Sequence, residues 1–325
     1  MLVDRDIEWV REYRGSSTAP GDLAEFWRGT LEEAAAAAWE PRFTPVPTAL
    51  TLIDIYDVSF AGFAGSEVRG WLRVPAGTDL NGAASLPGVV TYVGYGGGRG
   101  EPEDNLLWVA AGFAHLQMDT RGQGAKWSRG DTEDVGTAGP GVPGMMTRGI
   151  RSREDYYYRR LITDAVRAVD TARAIPVIDN ERLSVHGHSQ GGGLALAVAS
   201  LRSDLAAVVA LEPFLSDFPR AVRITDSAPY REITDYLAIH RGEAESVHHV
   251  LSYFDVTNLV PAATAPALIT VALMDAICPP STVYAAHNAY GGPRRIIEWE
   301  YNSHEGGQTD AAREAIAFIL ATLKP

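Results

Sequence analysis

Residues 183–196 read LSVHGHSQGGGLAL, a serine set among glycines where one periodicity gives way to another. LSVHG is a short apolar run of strand type, and GLALAVASL (193–201) has the composition of a buried helix. Between them, Gly187-His188-Ser189-Gln190-Gly191 fits G-x-S-x-G. Small residues two positions either side of the serine let a strand and a helix pass close to a sharp turn, and the helix N-terminus favours negative charge beside it. The plain alternative is an ordinary strand-to-helix turn with a capping serine. The flanking strand and helix favour a nucleophile, and Ser189 is assigned that role.

Outward from this turn the same alternation continues. Strand signals fall at 51–60, 67–75, 88–93, 113–119, 183–187, 206–211, 267–273 and 295–300, eight in all. The first two alternate and suggest an antiparallel pair. The later ones are continuous apolar runs, as strands buried on both faces require. Helical patterns at 154–175, 193–201, 280–290 and 309–323 separate or follow them. The expectation is an α/β fold, a mostly parallel eight-stranded sheet flanked by helices. An amphipathic helical extension precedes it at 21–39, and a helical insertion at 212–262 suggests a lid or an oligomer contact. Residues 120–152, rich in glycine and holding Pro140 and Pro143, read as a long surface loop. No linker divides the chain, so residues 1–325 are taken as one domain.

Composition narrows the function. With 28 basic and 41 acidic residues the net charge is −13, which disfavours nucleic acid and anionic membrane as partners. A single cysteine, Cys278, allows no internal disulfide and no cysteine-based zinc cluster. The opening MLVDRDIEWVREYRG lacks the apolar core of a signal peptide, and no run is long enough to span a bilayer. A cytoplasmic location is expected. Arg99 breaks a dinucleotide fingerprint in GYGGGRG, and HEGGQ is not H-E-x-x-H. No cofactor and no metal is indicated. The run Tyr156, Tyr157, Tyr158 suggests packing or an interface.

A serine nucleophile needs a base and an acid to orient it, in the chain order serine, acid, histidine. Of eight histidines only His287 and His304 follow the strand at 267–273. His287 sits mid-helix; His304 lies in a loop after a strand and is preferred. Asp275, at the end of the strand at 267–273, is the acid, with Asp255 and Glu298 as alternatives. Backbone N–H groups of Gln190 and Tyr95 are the expected oxyanion donors, Tyr95 lying in the glycine-rich loop after the strand at 88–93.

RGQG at 121–124, GHSQGG at 187–192 and HE at 304–305 together resemble the acetyl xylan esterase/cephalosporin C deacetylase family, carbohydrate esterase family seven. Supporting stretches are DLAEFWRGTLEEA, EPFLSDFPRA and LMDAICPPSTVYAAHNAY. The resemblance implies an α/β-hydrolase fold and removal of acetyl groups from small acetylated sugars and from cephalosporin C. It places the triad on Ser189, Asp275 and His304 and the oxyanion donors on Tyr95 and Gln190. It also implies a ring-shaped homohexamer. Arg121, Gly122 and Gln123 are read as bracing the site loops, and Tyr95, Pro213, Phe214 and Ile277 as pocket residues. The chain departs from the family at Val93, where histidine is frequent, at Ser216, where cysteine is common, and in the run Gly96, Gly97, Gly98. Two other readings remain: the same chemistry on a longer acyl group, a lactone or a peptide, and a non-enzymatic binder of the same fold.

Overall fold

The computed structural model describes residues 4–134, 136, 141 and 144–323. Its strands are β1 (Arg42–Val46), β2 (Ile53–Ala61), β3 (Glu67–Pro75), β4 (Leu86–Tyr92), β5 (Ala114–Met118), β6 (Ile178–His188), β7 (Ala207–Leu211), β8 (Ala267–Ala272) and β9 (Arg294–Trp299). They form one sheet in the order β1-β2-β3-β5-β4-β6-β7-β8-β9. The pairs from β5 through β9 are parallel, while β1, β2, β3 and β5 pair antiparallel. The sheet thus has nine strands among the described residues, one more than the sequence suggested. The additional strand, β1, is RFTPV: short and interrupted by Pro45, it is tolerated because it pairs with β2 alone at the edge.

The continuous apolar runs have a simple cause. Val208 and Ala210 of β7 join the core on one face, while Ala207, Val209 and Leu211 join the core on the other. β8 divides likewise, with Ile269 and Val271 on one side and Leu268 on the other. Period-two alternation sends each strand's side chains to both faces, so both must be covered by helices. α1 (Ile7–Glu12), α2 (Leu23–Ala36) and α3 (Leu107–Ala110) come before α4 (Tyr157–Arg173) and α5 (Gln190–Leu201). α4 and α5 pack together in the larger core, and Ala311, Ala315 and Ile319 of α11 (Gln308–Thr322) join Trp108 and Phe113 in the smaller one.

Between β7 and β8 the insertion folds as α6 (Phe218–Ile224), α7 (Tyr230–Ile239), α8 (Ala244–Ser252) and α9 (Val256–Leu259); α10 (Pro280–Ala289) follows β8. The N-terminal extension docks on it. Trp27 of α2 is 1% exposed, and its indole N–H donates to the Tyr253 carbonyl at 2.9 Å. Its ring meets Phe254 edge-on at 5.7 Å. Among the described residues no helix is long and apolar enough to cross a membrane.

The segment at 120–152 departs from the expected surface loop. Thr120, Arg121, Gln123, Thr132, Asp134, Met145, Met146 and Ile150 are all buried. Its backbone is satisfied internally: the Asp119 carboxylate accepts the amides of Arg99, Thr120, Asp131 and Thr132 at 2.6–2.9 Å. A carboxylate with that many donors substitutes for water, which lets glycine-rich backbone leave the surface. Pro140 and Pro143 lie outside the described residues.

The Trp27 anchor should be worth much of the extension's stability. Trp27→Ala removes a buried indole and leaves a carbonyl unpaired, so a loss of about 3–5 kcal/mol is expected in chemical denaturation. An unfolding midpoint unchanged from the parent would show that α2 docks without it.

Candidate active site

The Ser189 turn joins β6 to α5. Ser189 has φ 57° and ψ −119°, a left-handed conformation that costs a non-glycine residue about 1–3 kcal/mol. Three backbone hydrogen bonds hold it: Ser189 N–H to Leu211 O, and the amides of Gly193 and Phe214 to Ser189 O, all at 2.9–3.0 Å. Close approach does the rest. A Cβ on Gly191 would lie 2.1 Å from the Tyr92 carbonyl oxygen, and one on Gly187 would lie 2.2 Å from the Gly191 backbone. Only glycine lets β4, β6 and α5 converge here.

His304 meets this serine from the loop after β9. Its Nε2 is 2.9 Å from Ser189 Oγ, and its Nδ1 is 2.7 Å from Asp275 Oδ2. Asp275 is fully buried, and its Oδ1 accepts the amides of Ile277 and Cys278 at 2.7 and 3.0 Å. A carboxylate only accepts, so Nδ1 carries the proton and Nε2 presents a lone pair to the serine hydroxyl. The structure therefore brings Ser189, Asp275 and His304 into one hydrogen-bonded line. The alternatives are engaged elsewhere. Asp255 accepts the amides of Asp217, Phe218 and Thr257, and Glu298 pairs with Arg11 at 2.6 Å. His287 lies in α10.

The expected oxyanion donors stand beside the serine. A Cβ on Gly94 would be 3.9 Å from the Ser189 Cβ, which brings the loop containing Tyr95 against the turn. The amides of Tyr95 and Gln190 both lack a partner among the described residues. The Tyr95 side chain is anchored away from its backbone. Its hydroxyl donates to Glu232 Oε1 of α7 at 2.7 Å and accepts the amides of Gly144 and Met145 at 3.1 and 3.0 Å. Glu232 also accepts the amides of Gly144 and Met146, both at 3.1 Å. The insertion thereby holds the loop that carries the amide.

Arg121, Gly122 and Gln123 lie outside the cavity wall. Arg121 is buried and makes a two-pronged pair with Asp164 of α4 at 2.6 and 2.8 Å. Gln123 accepts the Gly96 amide at 2.6 Å and donates to Tyr157 Oη and Gln190 Oε1 at 2.9 and 3.0 Å. Tyr158 donates to the same Gln190 oxygen at 2.9 Å, and Gln190 Nε2 donates to Val93 O at 3.2 Å. The tyrosine run, read from sequence as packing, also supplies these buried hydroxyls.

A cavity of about 270 Å³ opens on Ser189. Tyr95 and Ile277 line it. Pro213 and Phe214 do not. Phe214 is fully buried with its ring 4.3 Å from that of Tyr230, and its amide supports Ser189. Glu212, Leu215 and Asp217 all adopt positive φ, which folds this segment into the core instead of along the cavity. The walls are completed by Lys126, Trp127, His188 and Pro229, none of them foreseen from sequence. Lys126 is one of only two lysines in the chain, a compositional signal that gains meaning only once its position is known.

His188 ties the two halves of the site together. Its Nε2 lies 2.9 Å from the His304 carbonyl oxygen, to which it donates, and the two rings are 4.9 Å apart. Glu212, at the end of β7, lies behind it with Oε2 3.5 Å from His188 Nε2, while Oε1 accepts the Thr270 hydroxyl at 2.8 Å. Burial pushes the Glu212 carboxyl up to about 7, partly offset by the Thr270 hydrogen bond. The donor atoms of Asp275, Cys278 and His304 lie within 4.8 Å of one another. The first and last already share a proton, and burial holds the Cys278 thiol well above its ordinary pKa.

The Glu212 shift has a definite sign. A carboxyl whose folded pKa exceeds its unfolded one binds its proton more tightly when folded, so its contribution is present below the unfolded value and is lost as pH rises towards about 7. Glu212→Gln mimics the protonated form and should match the parent near pH 4. By pH 8 it should be more stable, by roughly 3 kcal/mol. Denaturation curves for both proteins across this range test it; a gap independent of pH would contradict the buried-acid reading.

Comparison with known proteins follows the same lines. The acetyl xylan esterase (AXE1) family pattern matches residues 1–322. An acetyl xylan esterase from a Paenibacillus species superposes with a TM-score of 0.90 at 34% identity, covering 98% of this chain and 99% of that one. Acetyl xylan esterase 1 from a Thermoanaerobacterium species gives 0.89 at 31% identity, covering 99% and 100%. The acetyl esterase Axe7A of Xylanibacter ruminicola is 27% identical over 294 residues, 88% of this chain; the chain spans 63% of that relative's length. The neighbours place the nine-stranded sheet in the α/β-hydrolase fold. With a family match across almost its whole length, this chain belongs to the acetyl xylan esterase family.

Proposed function

We propose that this chain is a serine esterase that removes acetyl groups from small acetylated substrates, such as acetylated xylo-oligosaccharides and cephalosporin C-type esters. The observation that carries the reading is the line Ser189 Oγ, His304 Nε2, His304 Nδ1, Asp275 Oδ2 beside two unpartnered amides. Family membership and the acetyl esters named for its relatives support it. The cavity of about 270 Å³ suits a short acyl group and a small alcohol portion.

In this mechanism Ser189 Oγ attacks the acetyl carbonyl carbon while His304 Nε2 takes the hydroxyl proton. The tetrahedral oxyanion is received by the amides of Tyr95 and Gln190, at the N-terminus of α5. Asp275 stabilises the imidazolium that forms. Collapse breaks the ester C–O bond, and the alcohol leaves with the proton from Nε2. Water then attacks the acetyl-enzyme, its proton passing to Nε2. Acetate departs as Ser189 recovers its hydrogen. Two carbons of acyl chain are all this sequence of steps requires.

Ser189→Ala should reduce hydrolysis of p-nitrophenyl acetate by about 10⁴-fold or more. A wild-type rate in that variant would overturn the assignment. Across a series of nitrophenyl esters, kcat/KM should peak at acetate; a maximum beyond butyrate would instead favour the longer-acyl reading.

A further inference from the structure

Three consecutive glycines, Gly96, Gly97 and Gly98, follow the loop that presents the Tyr95 amide. The chemistry above uses none of them. Their neighbours explain them. A Cβ at Gly96, which has φ +83°, would lie 2.9 Å from Lys126 Cδ. One at Gly97 would lie 2.2 Å from the Trp127 ring, and one at Gly98 would lie 2.2 Å from Gly130 Cα. The run is therefore the seat of the segment at 126–130. Hydrogen bonds close the seat: Lys126 N–H to Gly96 O at 3.1 Å, Trp127 Nε1–H to Tyr95 O at 2.8 Å, and Ser128 Oγ–H to Gly98 O at 2.8 Å.

What this seat delivers to the cavity is a cation and an indole. Lys126 and Trp127 both line it, and Trp127 remains 60% exposed. Among the described residues lining the cavity, Lys126 is the one side chain of permanent charge. The Lys126 side chain has no ion pair or hydrogen bond within the described protein. Acids around the site are already engaged, Glu232 with Tyr95, Asp275 with His304, Glu212 with Thr270 and Glu305 with Asn302. In a chain of net charge −13, an exposed, unpaired lysine among the residues lining a small pocket is a local reversal of field.

We infer that Lys126, held beside Trp127 by the triple-glycine seat, selects acetyl esters whose alcohol portion carries a carboxylate. The ammonium receives the carboxylate, and the exposed indole supplies an apolar wall for the ring that bears it. The inference rests on the acetyl-esterase reading and specifies its substrate.

A matched pair of acetates tests it, 4-acetoxybenzoate and its neutral analogue 4-acetoxybenzamide. The quantity measured is the ratio of kcat/KM, anionic to neutral, which cancels any general loss of activity in a variant. Lys126→Gln should lower that ratio about fivefold, and Lys126→Glu should lower it further. Added salt should lower the wild-type ratio and leave that of Lys126→Gln little changed. A ratio in Lys126→Gln within twofold of wild type, with both esters still hydrolysed, overturns the role of Lys126 alone. Failure of the wild-type protein to hydrolyse either acetate would instead remove the esterase reading on which this rests.

Discussion

Everything at the site depends on one strained residue. Ser189 is held at positive φ because the strand before it and the helix after it have no other way to meet over the sheet. The strain of about 1–3 kcal/mol is offset by contacts that relaxation would break. Leu211 of β7, Phe214 beyond it and Gly193 of α5 each bond to the serine backbone. Gly191 rests against the Tyr92 carbonyl. Neighbouring strands and the buried helix thus over-determine the position of one hydroxyl.

Around that turn lies a continuous set of buried polar contacts. Arg121 grips Asp164 on α4, Gln123 links the Gly96 amide to Gln190, Tyr157 accepts from Gln123, and Tyr158 donates to Gln190. In a low-dielectric interior each of these groups would be costly if left unpaired, so the set resists piecemeal loosening. The insertion joins the same system through Glu232 and Tyr95. A helical element expected as a lid or an oligomer contact thus also braces the loop that lies beside the serine.

Much of this was readable in the linear chain because it follows local rules. The strand-to-helix change of period around GHSQG marked the turn. Chain order left His287 and His304, and position at strand ends favoured His304 and Asp275 over His287, Asp255 and Glu298, since strand ends in a parallel sheet converge on one edge. β1 escaped notice because a five-residue strand with a proline carries almost no periodic signal. The segment at 120–152 is only partly the surface loop its glycine-rich sequence suggests, because Asp119 takes up its amides and draws part of it into the core while Trp127 stays exposed.

The sequence by itself determined the layered α/β architecture, the serine turn and the order of the three polar residues that meet there. These depend on residue periodicity and chain order, which survive without coordinates. Tertiary structure alone decided the walls of the cavity. By sequence Phe214 is expected beside Ser189 and Lys126 is not, yet Lys126 lines the cavity and Phe214 does not. Backbone turns at Glu212, Leu215 and Asp217 folded the first into the core, and three glycines made room for the second. Which side chains line a pocket is set by loops whose paths depend on long-range packing, and no local pattern records that.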